Sequence, residues 1–207
     1  MIYYLTGFED ISDEVLERLM NKLPEGRLAK AQRYIHREGR ITCTLGYILF
    51  LYGYRNYCGY DDLPEFTEAE SLKPYIDGRA DVHFNISHCR GGVACIFGKD
   101  EVGIDIQDIR GNYNSIIDKI CTAEETAEIN SAGEDERARR FIRLWTIKEA
   151  ISKLTGEGVF RDIRQIYKED FKLLTLPVDE SIYMTGASGD EKDFELTRLD
   201  IESLLML

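Results

Sequence analysis

The stretch Val102-Gly103-Ile104-Asp105-Ile106-Gln107 alternates with the period of a β-strand. Val102, Ile104 and Ile106 share one face, and Gly103, Asp105 and Gln107 share the other. A carboxylate next to an amide, beside a glycine that lets a ligand or another backbone come close, suits one edge of a metal site. It equally suits an edge strand with a polar outer face. Farther along, Trp145, Glu149 and Lys153 are spaced by four and stack along one face of a helix. As an exposed ion pair Glu149 and Lys153 would contribute only about 0.3–0.5 kcal/mol, but the chain's single Trp on the same face hints at more than a solvated surface. A third feature is basic: Arg27, Lys30, Arg33, Arg37 and Arg40, with His36 among them. Their spacing puts most of them on one side of a helix, either as an anion-binding face or as a solvated one. Cys89 adjoins His88, yet strand neighbours point to opposite faces, so the two make a poor nucleophilic pair. His83, His88, Cys89 and Cys95 fit no usual zinc spacing.

These residues need elements to hold them. Residues 2–6 read as an opening strand. Ser12 caps a helix with Asp13 and Glu14 in its first turn and with Val15, Leu16, Leu19, Met20 and Leu23 as its apolar stripe; Pro24 and Gly26 end it. The basic helix follows over 27–40, interrupted at Gly39, and an apolar helix over 41–57 reads as core. Residues 61–80 are loop-like and include Lys73-Pro74-Tyr75. Residues 82–86 alternate as a strand and run into Ser87-His88. Residues 93–97 form the next strand and the Asp105 strand the third, which predicts an antiparallel meander. A short helix over 113–120 leads to a capping box at Thr122 and Glu125. The helix carrying Glu149 spans about 134–154 and ends at Gly156-Glu157-Gly158. Strands are expected near 171–176, 181–185 and 194–199. Helices then strands thus occur in each half.

The 207 residues are 43% hydrophobic and 31% charged, enough for a real core and against disorder. A net charge of -12 argues against a general nucleic-acid binder. The opening residues lack a signal peptide's basic region and long apolar core, and no apolar run reaches a membrane span, so a cytoplasmic location is expected. The five cysteines are scattered without a Cys-x-x-Cys and read as reduced thiols.

Four pieces, taken in order, resemble the surfactin-synthetase-activating type of 4'-phosphopantetheinyl transferase. They are Lys73-Pro74; Phe84-Asn85-Ile86-Ser87-His88; Val102-Gly103-Ile104-Asp105-Ile106; and Trp145-Thr146-Ile147-Lys148-Glu149-Ala150 with Lys153 and Gly156-Glu157-Gly158. The resemblance covers roughly residues 27–159; the last forty or so match no motif. It implies an α+β fold of two similar halves, 1–101 and 102–207, related by pseudo-twofold symmetry with the active site between them. It implies that coenzyme A gives its 4'-phosphopantetheine to a serine of an apo carrier protein, whether acyl, polyketide or peptidyl, with Mg²⁺, releasing 3',5'-ADP. On this resemblance Asp105, Gln107 and Glu149 hold the metal. Glu149 is the base and Lys153 assists the departing phosphate. Arg33, Arg40, Lys73, Ser87, His88, Lys148 and Lys153 contact coenzyme A. Gln107 departs from the pattern, because the family usually has a second acid there; an amide is a poorer Mg²⁺ ligand and could hold a metal-bound water instead. A monomer is expected, since both halves are covalently joined. The alternative is a catalytically impaired relative that binds coenzyme A or a carrier without transfer.

Overall fold

The computed structural model describes residues 1–68, 73–109, 113–156, 162–166, 170–189 and 193–207. The chain opens with β1 (Ile2–Thr6), α1 (Asp13–Met20), α2 (Glu25–Gln32) and α3 (Arg37–Asn56). The two-residue strands β2 (Thr67–Glu68) and β3 (Pro74–Tyr75) precede β4 (His83–Cys89), β5 (Gly92–Gly98) and β6 (Val102–Asp108). Then come α4 (Asn114–Ile120), α5 (Ala123–Asn130) and α6 (Glu134–Thr155). The chain closes with β7 (Lys172–Asp179), β8 (Ile182–Ser188), β9 (Leu196–Arg198) and α7 (Ile201–Leu205).

The first sheet runs β4-β5-β1-β9 and another runs β6-β8-β7, with β2 and β3 pairing alone. The molecule is therefore mixed α+β, built on two main sheets. The predicted meander is wrong at its third strand. β5 spends its second edge on β1, with Tyr3 opposite Cys95. β6 instead pairs with β8 in the other sheet, with Asp105 opposite Thr185. The basic stretch is not one helix either. It breaks after Gln32, ahead of Gly39, and Arg37 opens α3. Arg37 is used structurally, donating to Asp13 Oδ1 at 2.9 Å and to the Ile11 carbonyl.

Strand alternation explains the layering. From β5, Val93, Cys95 and Phe97 pack in the core against α3, while Ala94 and Ile96 pack with Val102, Ile104 and Ile106 of β6. The layers run α3, first sheet, second sheet, α6. Each apolar residue fully buried between them contributes about 1.5–3 kcal/mol. β6 is covered on both faces, which is why Val102 to Ile106 are all buried. Its Gly103, Asp105 and Gln107 face looks at α6, not at solvent. A Cβ at Gly103 would fall on the Ala150 carbonyl and the Leu154 amide, so the close approach there is made by the helix backbone.

Capping fixes the helix ends as the residue types predict. Ser12 Oγ accepts from the Val15 amide at 3.2 Å. Thr122 and Glu125 form the reciprocal capping box that starts α5. α6 stops at Gly156, whose φ of 69° is left-handed; Glu157 and Gly158 of the predicted stop lie outside the described residues. The last strand and helix return to the first sheet. β9 runs parallel to β1, and Leu199 and Leu204 enter the α3 core.

Candidate active site

Among the described residues the β6 edge next to β4 pairs with no strand, yet two of its amides are satisfied. Ile104 N–H donates to Asn85 Oδ1 at 3.1 Å and Ile106 N–H to Ser87 Oγ at 3.3 Å. Asn85 and Ser87 are alternate residues of β4, so both reach the same way. Two side chains thus replace a backbone ladder and tie the sheets together.

Between those two amides sits Asp105, 1% exposed. Its Oδ1 accepts from Ser87 Oγ at 2.9 Å and from Lys153 Nζ at 2.6 Å. Lys153 Nζ also donates to Ser87 Oγ at 3.0 Å. Asp105 Oδ2 is buried with no hydrogen-bond partner among the described residues. A buried carboxylate oxygen left open costs free energy unless something takes it up.

α6 carries its contribution on one stripe. Thr146 Oγ1 meets Thr185 Oγ1 at 2.9 Å, Ala150 and Leu154 pack over Gly103, and Lys153 reaches Asp105. Glu149 is half-buried on the same stripe. Burial first, then the Asp105 carboxylate, push its pKa above the ordinary 4.5, while Lys153 pulls the other way. Lys153 pairs with Asp105 rather than forming the exposed ion pair with Glu149 that helical spacing alone allows. Gln107 lies two residues along the same β6 face, half-buried and opposite Tyr183. Trp145 packs edge-on to Phe141 at 5.4 Å.

A cavity of about 370 Å³ opens between α2, α3 and β4. Arg27, Lys30, Arg33, Thr42, His88 and one carboxylate, Glu65, supply its polar wall, with Phe66 and Ile86 on the apolar side. The Arg27 guanidinium lies 4.8 Å from the Phe66 ring centroid, and its Nε, buried, has no hydrogen-bond partner among the described residues. His88 lines this cavity and is exposed to it. Burial, then the Lys153 charge, hold its pKa below the usual 6.5, with Arg27 and Lys30 adding to the effect and Asp105 opposing it. Those same influences tie the basic cavity to the Asp105–Lys153 group.

The other sequence candidates are placed differently. Ser87 and His88 are not brought to one group: alternation turns Ser87 to Asp105 and His88 to the cavity. Lys148 is 1% exposed and donates to the Ile120 carbonyl at 2.9 Å and to Glu125 at 2.7 Å. Arg40 is not among the cavity's lining residues, although Thr42 and Cys43 are. Lys73 turns to Glu101 and to the Val102 carbonyl at 3.0 Å. Burial pushes the Cys89 thiol up to about 12, which leaves no nucleophile there. Arg27 and Lys30 were legible as part of the basic run. Asn85 as a bridge between sheets was not, since nothing in the sequence says which sheet β6 joins.

Among the described residues no group of three or more His, Cys, Asp or Glu side chains could hold a metal ion. What exists is a pair of carboxylates, Asp105 and Glu149, with one orphaned oxygen, and the Gln107 amide on the same face. That donor set fits a hard cation taking its other ligands from water and phosphate. A carboxylate pair and a lysine beside a basic cavity suit the handling of a phosphorylated ligand.

Residues 101–181, which contain Asp105, Glu149 and Lys153, match the 4'-phosphopantetheinyl transferase superfamily. The 4'-phosphopantetheinyl transferase Sfp of Bacillus subtilis (strain 168) is 29% identical over 160 residues, covering 76% of this chain and 71% of the relative. The transferase ffp of Bacillus subtilis is 28% identical over 160 residues, with the same coverage. AcpT of Salmonella typhimurium is 35% identical over 102 residues, 48% of this chain and 53% of the relative. Over these spans the chain is similar to 4'-phosphopantetheinyl transferases, Sfp and ffp among them.

Proposed function

We propose that this chain transfers 4'-phosphopantetheine from coenzyme A to a serine hydroxyl of an apo carrier protein, with Mg²⁺, and releases 3',5'-ADP. The observation that supports it best is the Asp105–Lys153 pair with Glu149 above it, next to a cavity walled by Arg27, Lys30, Arg33 and His88. A carboxylate pair with an open oxygen suits a divalent ion, and a basic cavity suits a phosphorylated nucleotide end.

The roles follow from the chemistry of a diphosphate. The serine oxygen forms a bond to the phosphorus carrying the pantetheine, and the bond from that phosphorus to the bridging oxygen breaks. Asp105 Oδ2 and Glu149 would hold Mg²⁺, which when bound shields the negative charge of the diphosphate. Glu149 takes the serine proton. Lys153, held by Asp105 Oδ1, places its cation where charge grows on the departing phosphate. Arg27, Lys30 and Arg33 bind the nucleotide phosphates, and His88 joins them when protonated.

Calorimetry tests the binding half. Coenzyme A with Mg²⁺ should bind the full chain, and Arg27→Ala combined with Lys30→Ala should weaken it by about tenfold or more. Unchanged affinity in that double variant would move the nucleotide out of the cavity. The catalytically impaired alternative predicts the same binding, so only a transfer measurement separates it.

A further inference from the structure

We infer that Lys73 is a positioning residue that fastens the end of α6 to the start of β6, and so holds Lys153 over Asp105, rather than a contact for the phosphates of coenzyme A. This rests on the transferase reading above only for what is being positioned. An ammonium has three protons to donate. Lys73 Nζ has three acceptors in place: the Glu101 carboxylate, the Val102 carbonyl at 3.0 Å and the Leu154 carbonyl at 3.5 Å. No proton remains for a phosphate.

The acceptors bracket the site. Leu154 follows Lys153 directly, and Val102 stands three residues before Asp105. Leu154 lies in the last turn of α6, where carbonyls lack helical partners and a cation is favoured. The same turn packs on Gly103, where any Cβ would collide. Glu101 is itself steadied by His83 Nδ1 at 3.2 Å. Burial works against the Glu101 charge, yet Lys73 and His83 hold its carboxyl below the usual range. Lys73 comes from the segment that leads into β3, so a residue of the first half clamps two elements of the second.

The test uses the full chain, with Lys73→Met and, as a milder variant that keeps the cation, Glu101→Gln. Amide hydrogen exchange is read first, without ligand. Lys73→Met should speed exchange at Gly156, whose N–H bonds the Ser152 carbonyl, by about tenfold or more, with a smaller rise in Glu101→Gln, and leave the β5 amides unchanged. Coenzyme A titration should give a Kd within about twofold of wild type in both variants. The transfer rate at saturating coenzyme A should fall about tenfold in Lys73→Met, and no further when Lys153→Ala is already present. A Kd raised tenfold with exchange at Gly156 unmoved would overturn the assignment and return Lys73 to phosphate binding. Additive losses in the Lys153→Ala background would also overturn it. If the wild type neither binds coenzyme A nor transfers, the proposed function fails, and the exchange measurement alone decides the role of Lys73.

Discussion

Asp105 is the residue on which the site turns, and its two oxygens have different work. Oδ1 is shared by Ser87 and Lys153, while Oδ2 is buried with no hydrogen-bond partner among the described residues. A lysine and a cation can therefore both use it without exchange. Glu149 sits in its field. A raised folded pKa means the group favours folding below its unfolded value near 4.5 and loses that contribution as pH rises through the folded value. Glu149→Gln removes this penalty. In the metal-free protein it should raise the melting temperature at pH 7 and bring no gain below about pH 4, read by calorimetry at both values, while abolishing transfer. A variant less stable than wild type at pH 7 would mean that the carboxylate is better paired than its surroundings indicate. Gln107 makes the complementary point. On the proposed function, with two carboxylates in the donor set among the described residues, Mg²⁺ would lean on the phosphates of coenzyme A, so metal should bind weakly without it. Gln107→Glu adds a carboxylate on the same face and should lower the Mg²⁺ concentration for half-maximal transfer, with no required rise in maximal rate. A curve unmoved or shifted to higher Mg²⁺ would show that position 107 does not face the metal.

At the scale of elements, the decisive contact is α6 on β6. Gly103 lets the helix backbone lie directly on the strand, and this puts Glu149 and Lys153 above Asp105. Gly103→Ala should cost about 1–3 kcal/mol or more in urea unfolding, because backbone cannot step aside as a side chain can. It should also reduce transfer through displaced α6 residues; stability within error of wild type would refute the close packing. The two elements themselves were readable in the sequence. Alternation found β6, and spacing of four found the Glu149–Lys153 stripe. Their local ends were readable too, through Ser12, Thr122 and Gly156. What could not be read was partner choice. Residues 82–108 look like a meander because three strands follow one another with short turns, yet β1 and β8, distant in sequence, take the edges. The spacing of four allowed a plain Glu149–Lys153 surface pair, but Lys153 meets Asp105, 48 residues away. Strand alternation also separates Ser87 from His88, which a motif written as a word joins.

On the scale of the whole molecule, the chain carries a net charge of -12 while three cations, Arg27, Lys30 and Arg33, line its cavity beside the single acid Glu65. On the proposed function, local basic residues in an acidic body would make coenzyme A binding sensitive to salt, and a carrier protein would dock on local features rather than on the average field. Among the described residues, no helix is long and apolar enough to cross a membrane. The ends of the chain are joined: Ile2 N–H donates to the Glu195 carbonyl at 2.7 Å, Leu199 N–H to the Tyr4 carbonyl at 2.9 Å, and Arg55 to the Leu207 carbonyl at 3.0 Å. Deleting residues 194–207 should expose an edge of β1, open the α3 core and lower the melting temperature of the whole chain; a circular-dichroism melt with an unchanged midpoint would contradict the closure.

The central claim is tested most directly by the mass of an apo carrier protein after incubation with the chain, coenzyme A and Mg²⁺. A panel of acyl, polyketide and peptidyl carriers covers the substrate class. Wild type should add about 340 Da, the mass of one 4'-phosphopantetheine arm, to at least one of them, and Glu149→Gln should add nothing while still binding coenzyme A. No mass gain on any carrier by a wild-type chain that binds coenzyme A would contradict the account and leave a binding protein in place of a transferase.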